Sequence, residues 1–87
     1  MQIADTEITT RAELSDLIRR IKAAIAAGAL RQADGADGSG PMLDVSRLQP
    51  DGPWPDFIEA EFLDASGARF RLEVETYHGA GGRWMRR

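Results

Sequence analysis

The chain has 87 residues, 43% hydrophobic and 29% charged, which is the scale of one small globular domain over 1–87 rather than two domains or a disordered tail. It holds no cysteine, which excludes disulfides, thiolate metal sites and thiol nucleophiles. The formal net charge of −3 argues against a general nucleic-acid binder, because neutralising a phosphate backbone needs a basic excess or a basic face.

The first residues carry Asp5 and Glu7 where a secretory signal would carry basic residues ahead of an apolar run. No stretch approaches the roughly 20 apolar residues of a membrane span, so the expectation is a cytoplasmic chain with no membrane contact. Positive charge is almost all arginine, with Lys22 the only lysine, and alanine, glycine and aspartate are abundant. That mixture reads as bacterial-like, GC-rich coding bias before ligand recognition.

Leu14, Leu17, Ile18, Ile21 and Ile25 fall at i, i+3, i+4, i+7 and i+11, the apolar stripe of an amphipathic N-terminal helix. Thr10 and Glu13 have capping-box spacing, and Gly28 supplies a stop. Arg11, Asp16, Arg19, Arg20 and Lys22 occupy the opposite side and read as a solvated face. Ala29 to Ala33 is either a ragged last turn or a short extended piece. Residues 34–41 are a flexible loop by composition. An EF-hand needs oxygen ligands at positions 1, 3 and 5 and a glutamate at 12, and counting from Asp34 these fall on Ala36, Gly38 and Val45. The loop also lacks the lysine and the strand–loop–helix setting of a phosphate cradle.

Residues 42–48 are a weak strand candidate. Residues 49–56 form a Pro-rich loop in which Pro50, Pro53 and Pro55 fix backbone angles and withhold ladder donors. Trp54 stands between two prolines on a stiff backbone, as a lid over the core or as a recognition anchor, with the lid preferred. Two alternating segments follow. Ile58, Ala60 and Phe62 alternate with Glu59 and Glu61, and Phe70, Leu72 and Val74 alternate with Arg69, Arg71, Glu73 and Glu75, the pattern of two half-buried strands. Setting Phe62 opposite Phe70 leaves the loop Ala65-Ser66-Gly67, with glycine at its left-handed position. It also sets Glu61 across from Arg71, which is favourable, and Glu59 across from Glu73, which needs help from elsewhere.

The basic tail can supply that help as a third strand, in one of two registers. In the first, Gly79-Ala80-Gly81 is the loop, Thr76 faces Trp84 on the core side, Tyr77 faces Arg83 and Glu73 faces Arg87. In the second, Ala80-Gly81 is the loop, Thr76 faces Met85, Glu75 pairs with Arg86, and Trp84 joins Tyr77 on the outer face. The first is preferred because it buries a tryptophan in a small core.

His78, the only histidine, sits beside Tyr77 in a glycine-rich hinge. No spacing supplies the orienting carboxylate and nucleophile that a general base needs, and no Gly-x-Ser-x-Gly context or zinc-ligand set is present. Glu59, Glu61, Glu73 and Glu75 form an outward acid cluster that suits a basic protein better than a metal, and neighbouring arginines oppose it. No cofactor is expected. The architecture expected is α+β: one helix on a three- to four-stranded antiparallel sheet, in order α-β-β-β with 42–48 as the extra strand.

The leading functional expectation is a small non-catalytic protein-binding module. Its contact residues would be Trp54, Tyr77, His78, Arg83, Trp84, Glu59, Glu61, Glu73 and Glu75, and its specific form an acidic antidote or immunity-type inhibitor of a basic toxin or nuclease. Two alternatives stand beside it: a small enzyme or ligand-binding protein using His78 and Tyr77, and a homodimer formed through an exposed edge strand.

Overall fold

The computed structural model describes residues 3–33 and 44–87. It is an α+β arrangement of one α-helix and a five-stranded antiparallel sheet: β1 (Thr6–Ile8), α1 (Arg11–Ala26), β2 (Leu30–Ala33), β3 (Phe57–Asp64), β4 (Arg69–Glu75) and β5 (Gly81–Arg86). The flexible loop expected at 34–41 lies outside the described residues. Among the described residues no helix is long and apolar enough to cross a membrane.

The helix begins where its cap chemistry places it. Thr10 is extended, and its Oγ1 accepts from the Glu13 amide at 3.1 Å. The Glu13 carboxylate accepts from the amide and hydroxyl of Thr9, at 3.1 and 2.6 Å, so the capping box reaches one residue further back than its spacing implies. These bonds, led by the Thr9 hydroxyl, hold the Glu13 carboxyl below its ordinary value. At the other end Gly28 takes φ +77°, its amide reaches Ile25 O at 3.0 Å, and the Ala29 amide reaches Ala24 O at 2.9 Å. That is a Schellman ending, for which glycine is the favoured residue.

The strand order is β1-β5-β4-β3-β2, every neighbouring pair antiparallel. Strands β1 and β2 therefore run in the same direction on opposite edges, and α1 crosses between them over one face. Leu14, Leu17, Ile18, Ile21 and Ala24 of the helix are buried with Ile58, Phe62, Phe70, Leu72, Val74 and Trp84 of the sheet, while Ile25 is only partly buried. The five strands exceed the three or four expected. Both additions are edge strands too short to show an alternating pattern, and pairing with β5 and β3 is what orders them.

Residues 45–47 are a turn of 3-10 helix rather than part of a strand. Asp44 caps this turn through Ser46, whose amide and hydroxyl donate to its carboxylate at 3.1 and 2.6 Å, and Val45 and Leu48 are buried. Residues 42 and 43 of the expected strand lie outside the described residues.

The β3–β4 hairpin has the expected register, Phe62 opposite Phe70, and Gly67 takes φ +88° in its loop. Strand β5 matches neither expected register: Leu72 faces Trp84, Glu73 faces Arg83 and Glu75 faces Gly81. The displacement from the preferred register is an even number of residues, so Trp84 still points into the core, where it is 1% exposed. Two contacts favour the longer loop. The Thr76 amide donates to Asp56 O at 2.8 Å instead of to β5. At Gly82, opposite Val74, a Cβ would lie 1.9 Å from Glu73 O, so only glycine admits this close approach of β5 to β4.

Candidate functional site

With the helix covering one face, the other presents alternate side chains of all five strands. Strand order and register arrange them in four rows across the sheet: Gly81, Glu75 and Phe57; then Glu7, Arg83, Glu73 and Glu59; then Met85, Arg71, Glu61 and Ala33; then Arg69, Leu63 and Arg31. Arg87, whose amide donates to Arg69 O at 2.8 Å, extends the last row. Acids dominate one end and arginines the other.

The acid cluster of the sequence reading is divided by this grid. Glu61 is 4% exposed and held by guanidinium groups: Arg71 Nη1 at 3.2 Å, Arg69 Nη1 at 3.8 Å, and a hydrogen bond from Arg87 Nη1. It is a structural carboxylate rather than an open contact residue, because a buried charge is tolerated only when paired. Arg71 Nε also donates to Glu73 at 2.5 Å, and its Nη2 lies 3.7 Å from Glu59. The hydrogen bond from Arg71, with the neighbouring charges of Arg83 and Arg87, holds the Glu73 carboxyl below its ordinary value. The help that the Glu59–Glu73 pair needs thus comes from Arg71 within the hairpin as well as from the tail.

Trp84 leaves the contact set for the same reason of burial. Its ring stacks on Phe70 at 5.3 Å between centroids and tilts against Phe62 at 5.2 Å, and its indole N–H donates to Ile3 O at 3.2 Å. Trp54 is partly buried against the edge of the core, as the lid reading requires. Its indole N–H donates to Gln49 O at 2.9 Å, and the Arg11 guanidinium lies 4.8 Å over the ring. The helix face expected to be solvated also anchors the Pro-rich loop, through Arg19 to Asp51 at 2.8 Å and Lys22 to Leu48 O at 2.8 Å.

What remains converges on the acidic end of the sheet. Residues 55–57 and the 76–80 loop lie side by side there, joined by the Thr76 amide to Asp56 O and by the Thr76 hydroxyl to Pro55 O. Phe57 and Tyr77 are the exposed large hydrophobics among the described residues, at 66% and 69%. Glu75 is the cross-strand neighbour of Phe57; its Oε1 lies 2.6 Å from His78 Nδ1, and the His78 ring packs edge-on to Tyr77 at 4.7 Å. The sequence reading did not include Phe57. The signal was available in parity, since 57, 59 and 61 share a face and Ile58 defines the opposite one.

Chemically, Glu75 orients the imidazole and leaves Nε2 directed away from the carboxylate, the relation of a positioned base. Both groups stand at the surface, the His78 side chain at 78% exposure, and His78 lines none of the described cavities. The largest of these, about 820 Å³, runs along β1 and β5 beside Ile8, Gly82 and Arg83. Among the described residues no group of three or more histidine, aspartate or glutamate side chains is placed to hold a metal ion. No protein-family model, curated protein or solved structure matches the chain.

Proposed function

We propose that this chain is a non-catalytic protein-binding module whose contact surface is the acidic end of the sheet, with Phe57 and Tyr77 as aromatic anchors. The observation that carries the reading is that the two large hydrophobic side chains exposed among the described residues lie at the same end and are linked through Glu75 and His78. Rigid aromatic side chains inside a charged rim are the usual make-up of a binding hot spot. The rim here is Asp56, Glu59 and Glu75, so the partner that fits is a protein with a basic surface and an apolar recess. The most specific form of the reading is an antidote or immunity-type inhibitor of a basic toxin or nuclease, supported by small size and an isoelectric point near 5.0.

The experiment is affinity capture from a lysate of the source cells with wild type, Phe57→Ser and Tyr77→Ser in parallel, each verified as folded by circular dichroism. A partner retained by wild type should bind each variant about 30-fold more weakly, the effect of truncating a hot spot of about 2 kcal/mol. Equal retention by all three proteins refutes the assignment of the surface.

A second reading, in which His78 is a general base, is favoured by the 2.6 Å contact with Glu75 alone. It requires a turnover that His78→Gln abolishes while the fold and partner capture persist.

A further inference from the structure

The outer face of the sheet is a charge dipole along the strands. Glu7, Glu59, Glu73 and Glu75 outnumber Arg83 toward the Phe57 end, whereas Arg31, Arg69 and Arg87 lie together at the other end in a row without a carboxylate. Between them Glu61, which also takes Arg69 and Arg87, and Arg71, which also reaches Glu73 and Glu59, cancel in formal charge and leave the excess of each sign at the two ends. A face that is acidic at one end and basic at the other is complementary to itself when turned end for end about a two-fold axis lying between two sheets and perpendicular to the strands. That operation keeps strand over strand. It lays the Glu75 end of one copy over the Arg69 end of the next, and Phe57 of β3 over Leu63 of the same strand in the partner copy. Sheets packed face to face hold their strands within about 30° of one another, which preserves the match of ends.

We infer that this face associates with a second copy of the chain, acidic end on basic end, with the exposed Phe57 of each copy covered by the Leu63 end of the other. For an occupant that spans the whole face, this polarity, together with Phe57 at 66% exposure, selects a like copy, whereas a basic partner engages the acidic end alone. Five strands about 4.8 Å apart and rows about 3.3 Å per residue give a face roughly 20 Å on each side, at the low end of specific interfaces, so the dimer is weak and concentration-dependent. It would cover Phe57, and a partner at the acidic end would therefore compete with self-association.

Sedimentation equilibrium of the purified chain over roughly 10–1,000 µM at low salt tests this, since interfaces of this size fall in that range of affinity. A species of twice the 9.5 kDa chain mass should grow in with concentration. Raising ionic strength from about 20 mM to about 500 mM should weaken it on the order of tenfold. Arg69→Glu should weaken it at least as much, with the exposed Arg31→Glu as an independent check on folding effects, and adding Glu75→Arg to Arg69→Glu should restore it. A monomer at every concentration overturns the inference. So does a dimer indifferent to both arginine substitutions, the behaviour of an edge-to-edge assembly through β1 or β2. Because neither arginine belongs to the acidic corner, failure here leaves the partner-binding surface standing.

Discussion

Trp84→Ala should remove a large share of the stability of this domain. The side chain is 1% exposed, and burying a large aromatic removes about 150–250 Å² from water. At about 25 cal/mol per Å² that area corresponds to roughly 4–6 kcal/mol, reduced by the Cβ that alanine retains and by the partial burial already present in the unfolded chain. Loss of the indole N–H leaves Ile3 O without its donor, which adds about 1 kcal/mol. The net expectation is about 3–5 kcal/mol, the usual range for truncating a buried tryptophan. Against a total of about 4–13 kcal/mol, from about 0.05–0.15 kcal/mol per residue over 87 residues, such a loss unfolds a domain at the low end of that range and weakens one at the high end. Trp84→Phe keeps a ring between Phe62 and Phe70 and forfeits mainly the hydrogen bond and part of the packing, about 1–2 kcal/mol. Urea denaturation followed by far-ultraviolet circular dichroism measures both. A Trp84→Ala protein within about 1 kcal/mol of wild type would show that the tryptophan is not central to the core and refute the placement of β5.

Gly82→Ala places a Cβ against backbone atoms, Glu73 O at 1.9 Å and Val74 Cα at 2.7 Å, which no side-chain rotation relieves. It should destabilise by about 2–4 kcal/mol, while Gly81→Ala, with nothing within 4 Å, should stay within about 0.5 kcal/mol of wild type. Equal melting temperatures for the two variants would refute the close approach of β5 to β4. Acid should weaken the fold through its bonded carboxyls. Those of Glu13, Asp64 and Glu73 titrate below their ordinary values of 4.5, 3.8 and 4.5, chiefly through hydrogen bonds from Thr9, Ser66 and Arg71. Groups depressed in the folded state contribute stability that is fully present above those values and is lost as pH falls through the lower folded ones. The contribution of these groups should therefore be level above about pH 4.5 and decline below it, and Asp64→Asn with Glu73→Gln should flatten that decline. A decline of unchanged steepness in the double variant would exclude these two groups as its source.

At the candidate site, charges and aromatics were legible as residue types and less so as partners. Tyr77, His78, Glu59 and Glu75 do converge, but Glu61, read as an outward acid, is buried, and Trp84 takes the core place of the preferred register and not a place among the contact residues. Alternation locates a side chain on one of two faces without saying what lies above it. Three arginines around Glu61 turn an outward position into an enclosed one. The Glu75–His78 contact depends on a loop path that no periodicity encodes.

Helix α1 and the β3–β4 hairpin were determined by the sequence itself, because each rests on interactions between residues near in the chain. The apolar period, the Thr10 and Gly28 ends and the Gly67 loop all act within a few residues, and the Phe62–Phe70 register follows from the shortest loop that keeps both apolar sets on one face. Only the tertiary structure decided β1, β2 and the register of β5. Strands of three and four residues have too few side chains to declare a pattern, and they become ordered when an existing edge supplies hydrogen-bond partners. Strand β5 could slide by an even number of residues with Trp84 still facing inward. The choice among those positions was made by Thr76 bonding to Asp56 and by Gly82, which has no side chain, at the point where two backbones nearly touch.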